Sequence, residues 1–269
     1  MKKSDFVVEY TRVRQEKKSI LCVGLDPALP DQRRTDVIKH QYPGNAGDVI
    51  MQFCMEIVDA VHENCMAVKL NSQYVLFALS NNKLEALNQH IHSYGLLSIL
   101  DHKLGDIGTS NDSALYWCKK CDFDAITFSP FAGNIREATE MAHHRKLGIL
   151  VLDLMSNPEA EGFQKKARFN ETPMFLRIAD DSKHANVDAV VVGATDHVRE
   201  VDIQKIRKTI GEDMIMFFPG IGSQGGDVKK IFDNAGKNIM INVGRNIIYA
   251  NDPARAAEEY NKRLQPPKK

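Results

Sequence analysis

Charged and polar side chains follow three consecutive apolar runs of the chain, at the point where each run ends. They are Asp26 after the first run, Lys69 and Asn71 in the second, and Asp101, Lys103 and Asp106 after the third. Because residues two apart in a strand face the same way, Asp101 and Lys103 are predicted to share a face. A lysine between carboxylates stays protonated. Lys103 is therefore predicted to be a cation and proton donor, and not the nucleophile that Schiff-base chemistry requires.

Glycine-rich segments follow the last two apolar runs. One is PGIGSQGGD, which begins at Pro219 and contains Gln224, and the other contains Gly244 and Arg245. Glycine lets backbone N–H groups approach an anion closely, and an arginine can bind two phosphate oxygens at once. The pattern favours a phosphate site, although glycines also occur where a loop only turns.

The elements that must position these residues alternate between two kinds. Eight short apolar runs predict strands: Ile20 to Leu25, Met66 to Leu70, Leu96 to Leu100, Ala125 to Phe128, Leu147 to Leu152, Val187 to Val192, Met214 to Phe218 and Ile239 to Val243. Stretches with helical spacing lie between them: Ala46 to Asn64, Lys83 to Tyr94, Ser110 to Cys121, Asn134 to His144, Val198 to Ile210 and Pro253 to Leu264.

This alternation of strands and helices is typical of a (β/α)8 TIM barrel, with an open doubly wound sheet as the alternative. We expect one domain over residues 1–269, with a barrel core from about 18 to 262. The candidate residues then meet at the carboxyl ends of the strands.

Composition narrows the function classes. The 269 residues carry 35 Lys plus Arg and 35 Asp plus Glu, and this balance argues against binding to nucleic acid or to a membrane surface. No apolar stretch is long enough to span a membrane, and no signal peptide is read at the start.

The chain has five cysteines, and this odd number fits a reducing cytoplasm. The pair Cys118 and Cys121 is predicted to be two ordinary thiols, with redox or metal chemistry as the alternative. The sequence requires neither a metal nor an organic cofactor.

Several segments together resemble the orotidine 5′-phosphate decarboxylases, in particular their bacterial and protozoan branch. The signature is DHKLGDIG, which begins at Asp101. Its companions are GLDP, AVKLN, SPFAGN, LMSNPEA, VVGAT, PGIGSQGGD and NVGRNIIYANDP, in this order over almost the whole chain. The resemblance implies a homodimeric barrel that converts orotidine 5′-monophosphate into UMP and CO2 without a cofactor.

The resemblance also implies roles for individual residues. Lys103 would stabilise and protonate the C6 carbanion, Asp101 would face the substrate carboxylate, and Lys69 would orient Asp101. Asp26 and Lys69 would contact the ribose hydroxyls, with Asn71 beside that network, and Ser156 would contact the pyrimidine edge. Asp106 would reach the ribose bound by the partner subunit, and Ile107 would line the pocket. The phosphate would be bound by Gln224, Gly244 and Arg245, with Pro219 at the base of the phosphate loop.

Three questions stay open at this stage. Either Thr109 or Ser110 could supply the hydroxyl that crosses the subunit interface. A metal-dependent sugar-phosphate decarboxylase or synthase of the same superfamily is one alternative function. A non-catalytic nucleotide-binding barrel is another.

Overall fold

The computed structural model describes residues 3–222 and 227–265, and within them eight parallel strands close into a barrel. The barrel strands are β1 Leu21–Leu25, β2 Ala67–Asn71, β3 Leu97–Leu104, β4 Ala125–Phe128, β5 Gly148–Leu154, β8 Ala189–Val192, β9 Ile215–Pro219 and β10 Ile239–Val243. Around the barrel, the order of neighbouring strands is β1, β10, β9, β8, β5, β4, β3, β2 and back to β1. A small hairpin, β6 Arg168–Phe169 with β7 Thr172–Pro173, lies outside the barrel. The predicted (β/α)8 barrel is confirmed.

Helices connect the strands and pack around them. They are α1 Asp5–Lys17, α2 Ala46–Val61, α3 Ser72–Val75, α4 Asn81–Ser93, α5 Gly108–Lys120, α6 Ile135–His144, α7 Met174–Ala185, α8 Glu200–Ile210, α9 Val228–Asn234, α10 Arg245–Ile248 and α11 Pro253–Arg263. The six predicted helices are present within three residues of the expected bounds. Among the described helices, none is both long and apolar enough to cross a membrane.

Two apolar layers hold the barrel together. Side chains that alternate along each strand fill either the barrel interior or the layer between strands and helices, as the period of two requires. Helix α1 closes the amino-terminal end of the barrel, because Phe6, Tyr10 and Val13 share one face and pack into the interior cluster. The hydroxyl of Tyr10 donates to the carbonyl of Ile239 at 2.9 Å. The opposite, carboxyl end of the strands stays open.

Strand β3 is longer than its apolar pattern predicts. It continues through the charged residues to Leu104, and its register with β4 shifts between Leu100 and Leu104. Lys103 lies in this irregular part with a left-handed φ of 56°. The simple alternation argument for Asp101 and Lys103 therefore does not describe the backbone, although both side chains do reach the same pocket.

Candidate active site

A cavity of about 210 Å³ opens at the carboxyl ends of the strands. Most of the predicted residues line it: Asp26, Lys69, Asn71, Asp101, Lys103, Ser156, Pro219, Gly244 and Arg245. The barrel brings together residues that are up to about two hundred positions apart in the sequence, because every strand ends at the same rim.

Two lysines share one carboxylate at the centre of this cavity. The Nζ of Lys69 lies 2.7 Å from Oδ2 of Asp101, and the Nζ of Lys103 lies 2.7 Å from Oδ1. The side chain of Lys69 is 6% exposed and that of Asp101 is 13% exposed, whereas Lys103 is 41% exposed. Asp101 therefore anchors a buried cation on one side and an accessible cation on the other.

Electrostatics keep this group ionised. Burial alone would raise the pKa of the Asp101 carboxyl, but the charges of Lys69 and Lys103 and their hydrogen bonds outweigh it and hold the pKa well below the usual range. Burial alone would lower the pKa of Lys69, but Asp101 and Asp26 outweigh it and raise the pKa. The chain of alternating charges predicted from the sequence is thus present for these residues.

Asp26 lines the cavity and has one buried carboxylate oxygen without a protein partner. Its backbone carbonyl accepts hydrogen bonds from the hydroxyl of Tyr249 at 2.8 Å and from Arg33 at 3.2 Å, which fix the loop after β1. Among the described residues, its buried Oδ1 has no hydrogen-bond partner, and the same is true of Oδ1 of Asn242 on the neighbouring strand β10. Two unpaired acceptors beside one cavity are suited to a ligand that carries hydroxyl donors.

Ser156 is held from behind by the loop after β8. A Cβ on Gly193 would come within 2.6 Å of the Cα of Ser156, so only glycine permits this approach. The hydroxyl of Thr195 donates to the carbonyl of Ser156 at 2.7 Å. The loop therefore fixes the backbone of Ser156 at the rim of the cavity.

The predicted phosphate residues lie at the far side of the cavity. Gly244 packs so closely that an added Cβ would lie 3.3 Å from the carbonyl oxygen of Gly24. Arg245 follows it, and one of its guanidinium nitrogens is 3.7 Å from a carboxylate oxygen of Asp36. Pro219 ends β9 beside them. Gln224 lies outside the described residues.

Four predicted residues do not line the cavity. Asp106, Ile107, Thr109 and Ser110 stand on an exposed segment that leads from β3 into α5. The backbone of Asp106 is held firmly, because its carbonyl accepts from Asn111 at 2.5 Å and from Asn134 at 3.0 Å. The segment is thus an exposed projection with a hydrogen-bonded backbone, and it does not line its own cavity.

Sequence reasoning missed Thr127 and Asn242, which also line the cavity. Thr127 is 1% exposed and is the one polar residue in the apolar strand AITF. That contrast was a signal, since a buried hydroxyl needs a hydrogen-bond partner. Cys118 and Cys121 are both buried and unpaired, and burial raises the pKa of each thiol, as expected for ordinary cysteines.

Comparison with known proteins decides the family. A sequence profile of the orotidine 5′-phosphate decarboxylase / HUMPS family matches residues 19–260. The chain belongs to this family. A relative named orotidine 5′-phosphate decarboxylase, from Aromatoleum aromaticum, is 34% identical over 247 residues, which are 87% of this chain and 86% of that protein. Another decarboxylase of this name, from Cupriavidus taiwanensis, is 32% identical over 259 residues, covering 91% and 89% of the two chains.

One solved structure is similar to this chain over almost its whole length. The UMP synthase of Leishmania donovani superimposes with a TM-score of 0.79 at 26% identity. The match covers 98% of this chain but 56% of the synthase, so this chain spans little more than half the length of that protein.

Proposed function

We propose that this chain is a cytoplasmic orotidine 5′-phosphate decarboxylase that converts orotidine 5′-monophosphate into UMP and CO2 without a cofactor, the last step of UMP biosynthesis. The observation that carries the proposal is the Lys69–Asp101–Lys103 group in the cavity, with both 2.7 Å contacts on one carboxylate. Membership of the family and relatives named for this activity agree with it.

In the proposed reaction, the bond between C6 of the pyrimidine and its carboxyl carbon breaks. The carboxyl group leaves as CO2, and the electron pair stays on C6. The ammonium of Lys103 faces that pair and transfers a proton to C6, after which solvent reprotonates the lysine. The balance is one orotidine 5′-monophosphate and one proton in, and one UMP and one CO2 out.

Magnitudes indicate which residue contributes most. Placing the Asp101 carboxylate about 4 Å from the substrate carboxylate costs about 4 kcal/mol at an effective dielectric constant near 20. Complete relief of this repulsion accelerates the reaction about a thousandfold. The larger contribution is assigned to Lys103, because a fixed cation in a water-poor cavity stabilises charge that develops only in the transition state. Asp101 keeps that cation in place.

The remaining roles are those that the resemblance implies. Asp26 and Lys69 contact the ribose hydroxyls, Asn71 lies beside that network, and Ser156 contacts the pyrimidine edge. Gly244 and Arg245 bind the phosphate, with Pro219 beside them, and Gln224, which lies outside the described residues, is assigned a further phosphate contact. This phosphate lies far from C6, so its binding energy can be used to close the site around the reacting groups.

We also propose that the active enzyme is a homodimer whose sites are shared. Asp106, Ile107 and either Thr109 or Ser110 are exposed on their own chain, which suits residues that complete the partner's cavity. Ile107 is 63% exposed, and Phe77 and Phe131, on the loops after β2 and β4, are 94% and 82% exposed. Large apolar side chains that are exposed on a single chain are typical of an interface.

The experiment that tests the function is a decarboxylation assay with orotidine 5′-monophosphate on the parent chain and on Lys103→Ala. We expect kcat to fall by about 10⁴-fold or more, because both the cation and the proton donor are lost. Affinity for UMP, measured by calorimetry, should stay close to that of the parent. Lys229→Ala, which removes an exposed lysine of α9, is the matched control. A near-normal kcat for Lys103→Ala would refute the assignment.

The metal-dependent sister reactions make a different prediction, because their activity depends on a bound metal ion. They need carboxylates that gather around an ion, and among residues 3–222 and 227–265 no three His, Cys, Asp or Glu side chains are grouped to hold one. Activity that disappears with EDTA and returns with Mg²⁺ would favour those reactions over the proposed one.

A further inference from the structure

The catalytic lysine stands on a bulge in β3. Leu100 pairs with Ile126 and Leu104 pairs with Phe128, so four steps along β3 correspond to two along β4. The extra residues leave the ladder, and Lys103 takes a left-handed φ of 56°. This conformation is unfavourable for a residue with a side chain, so neighbouring contacts must hold it.

One side chain supplies the contact that the ladder lost. The backbone N–H of Lys103 donates to Oγ1 of Thr127 at 2.8 Å. The hydroxyl of Thr127 in turn donates to Oδ1 of Asp101 at 3.1 Å. A hydroxyl has one hydrogen and two lone pairs, so it can accept from the amide and donate to the carboxylate at the same time.

Both ends of Lys103 therefore depend on the same hydroxyl. The oxygen of Asp101 that accepts from Thr127 also accepts from the Nζ of Lys103 at 2.7 Å. Thr127 thus fixes the backbone of the lysine directly and its ammonium through the carboxylate. Thr127 is 1% exposed, and it lines the cavity wall below these groups.

We propose that Thr127 is a positioning residue for the decarboxylation: its hydroxyl holds the bulge of β3 and the Asp101 carboxylate so that the Lys103 ammonium faces the reacting carbon. This inference rests on the proposed function. It assigns Thr127 no proton transfer and no contact with the substrate. Its effect belongs to the transition state, since a displacement of about 1 Å at a catalytic group can cost about 100-fold in rate.

The test is Thr127→Val, which keeps the shape of the side chain and removes the hydroxyl. We expect kcat to fall about 10- to 100-fold. The KM for orotidine 5′-monophosphate and the Kd for UMP should change little, because the groups that bind the ribose and phosphate are untouched. Thr127→Ser should recover most of kcat, because it restores the hydroxyl without the methyl group.

Thr139→Val is the matched control. Thr139 is also 1% exposed, but its hydroxyl donates to the carbonyl of Ile135 within α6, so this variant should keep the parent kcat. Thermal unfolding and UMP binding show whether each variant is folded. If Thr127→Val does not fold, Thr127→Ala removes the same hydroxyl with a smaller side chain.

Three outcomes would overturn the inference. They are a parent-like kcat in the variant without the hydroxyl, a loss in Thr127→Ser as large as in Thr127→Val, and a rise in KM with kcat unchanged. A parent chain that does not decarboxylate orotidine 5′-monophosphate would instead contradict the proposed function, and the two failures are thereby distinguished.

Discussion

At the scale of single residues, the left-handed conformation of Lys103 is held by a hydrogen bond from its backbone N–H to Thr127 on the neighbouring strand. The acidic and basic residues after three strands were sufficient to predict that Lys69, Asp101 and Lys103 meet. The bulge at Lys103 could not be predicted, because it depends on a hydrogen bond to Thr127 on another strand. Local sequence carries little information on such a contact.

Asp153 differs from these residues, because among the described residues its buried carboxyl group has no hydrogen-bond partner. It lies in β5 with 0% exposure, and among the described residues neither carboxylate oxygen has a hydrogen-bond partner. Burial raises the pKa of this group well above its ordinary value. The folded chain therefore keeps a proton that the unfolded chain releases above about pH 4.

We predict that the free energy of unfolding falls as pH rises, because the folded chain retains this proton and the unfolded chain does not. While Asp153 stays protonated in the folded chain, its contribution falls by about 1.4 kcal/mol per pH unit above the unfolded pKa, because the unfolded state binds fewer protons. Asp153→Asn has no such proton, so its stability relative to the parent should increase as the pH rises above the unfolded pKa of the carboxyl group. Urea unfolding at several pH values measures the difference.

Asp31→Asn, a change at an exposed aspartate, is the control for this series and should show no such gain. A difference between Asp153→Asn and the parent that does not vary with pH would show that the carboxyl is not the source.

At the scale of elements, all eight barrel strands were predictable, because strands buried on both faces are continuously apolar. Helix α1 was not predicted. Its three inward residues, Phe6, Tyr10 and Val13, do show helical spacing, but what they cover is the floor of a barrel formed by distant segments. The small hairpin β6–β7 also gave no signal, since each strand has two residues.

Two connections at the floor of the barrel repeat one arrangement. His92, at the end of α4, contacts Asp124 at 2.9 Å, and Asp124 accepts from the backbone of Ser98 at the start of β3. In the same way, His143 at the end of α6 contacts Asp188 at 2.9 Å, and Asp188 accepts from the backbone N–H of Ile149 in β5. Each carboxylate thus joins a helix end to a strand start.

We predict that these pairs stabilise the fold more at acidic than at basic pH. The hydrogen bond to Asp188 raises the pKa of His143, as the bond to Asp124 raises that of His92. The stabilisation is fully present below the unfolded pKa of about 6.5 and disappears as pH rises through the folded pKa. His143→Ala should cost about 1–3 kcal/mol of unfolding free energy at pH 5.5, and less at pH 8.5.

His184→Ala is the comparison for that variant. His184 lies at the end of α7, and its side chain is 65% exposed, so its removal should change stability little at either pH. A cost for His143→Ala that is equal at both pH values would contradict the assignment to a charged pair.

At the scale of the whole molecule, the projection from Asp106 to Ser110 requires an explanation outside the single chain. Sequence similarity implied a shared site, and the exposure of these residues is consistent with it, but the fold of one chain gives no position for the partner. A C2 dimer with shared sites would place Asp106 of each protomer at the cavity of the other.

Mixing two inactive variants tests this arrangement. In a heterodimer of Asp101→Ala and Asp106→Ala, one site carries both substitutions and the other carries neither. Random pairing in an equal mixture should then restore about one quarter of the parent activity. The measurement is the decarboxylation rate after subunit exchange.

A mixture of Asp101→Ala with Lys103→Ala provides the control. Both residues belong to the same protomer's cavity, so no heterodimer has an intact site and no activity should return. Equal recovery in both mixtures, or recovery in neither, would count against a site built from two chains.

The closed floor described above separates two tasks along the axis of the barrel. The groups assigned to turnover stand at the open rim, whereas the histidines whose protonation affects folding stand at the opposite end, under α1 and the neighbouring helix ends. Substitutions at the closed end of the barrel can therefore change the pH dependence of folding stability without changing the groups at the open end that are assigned to the reaction.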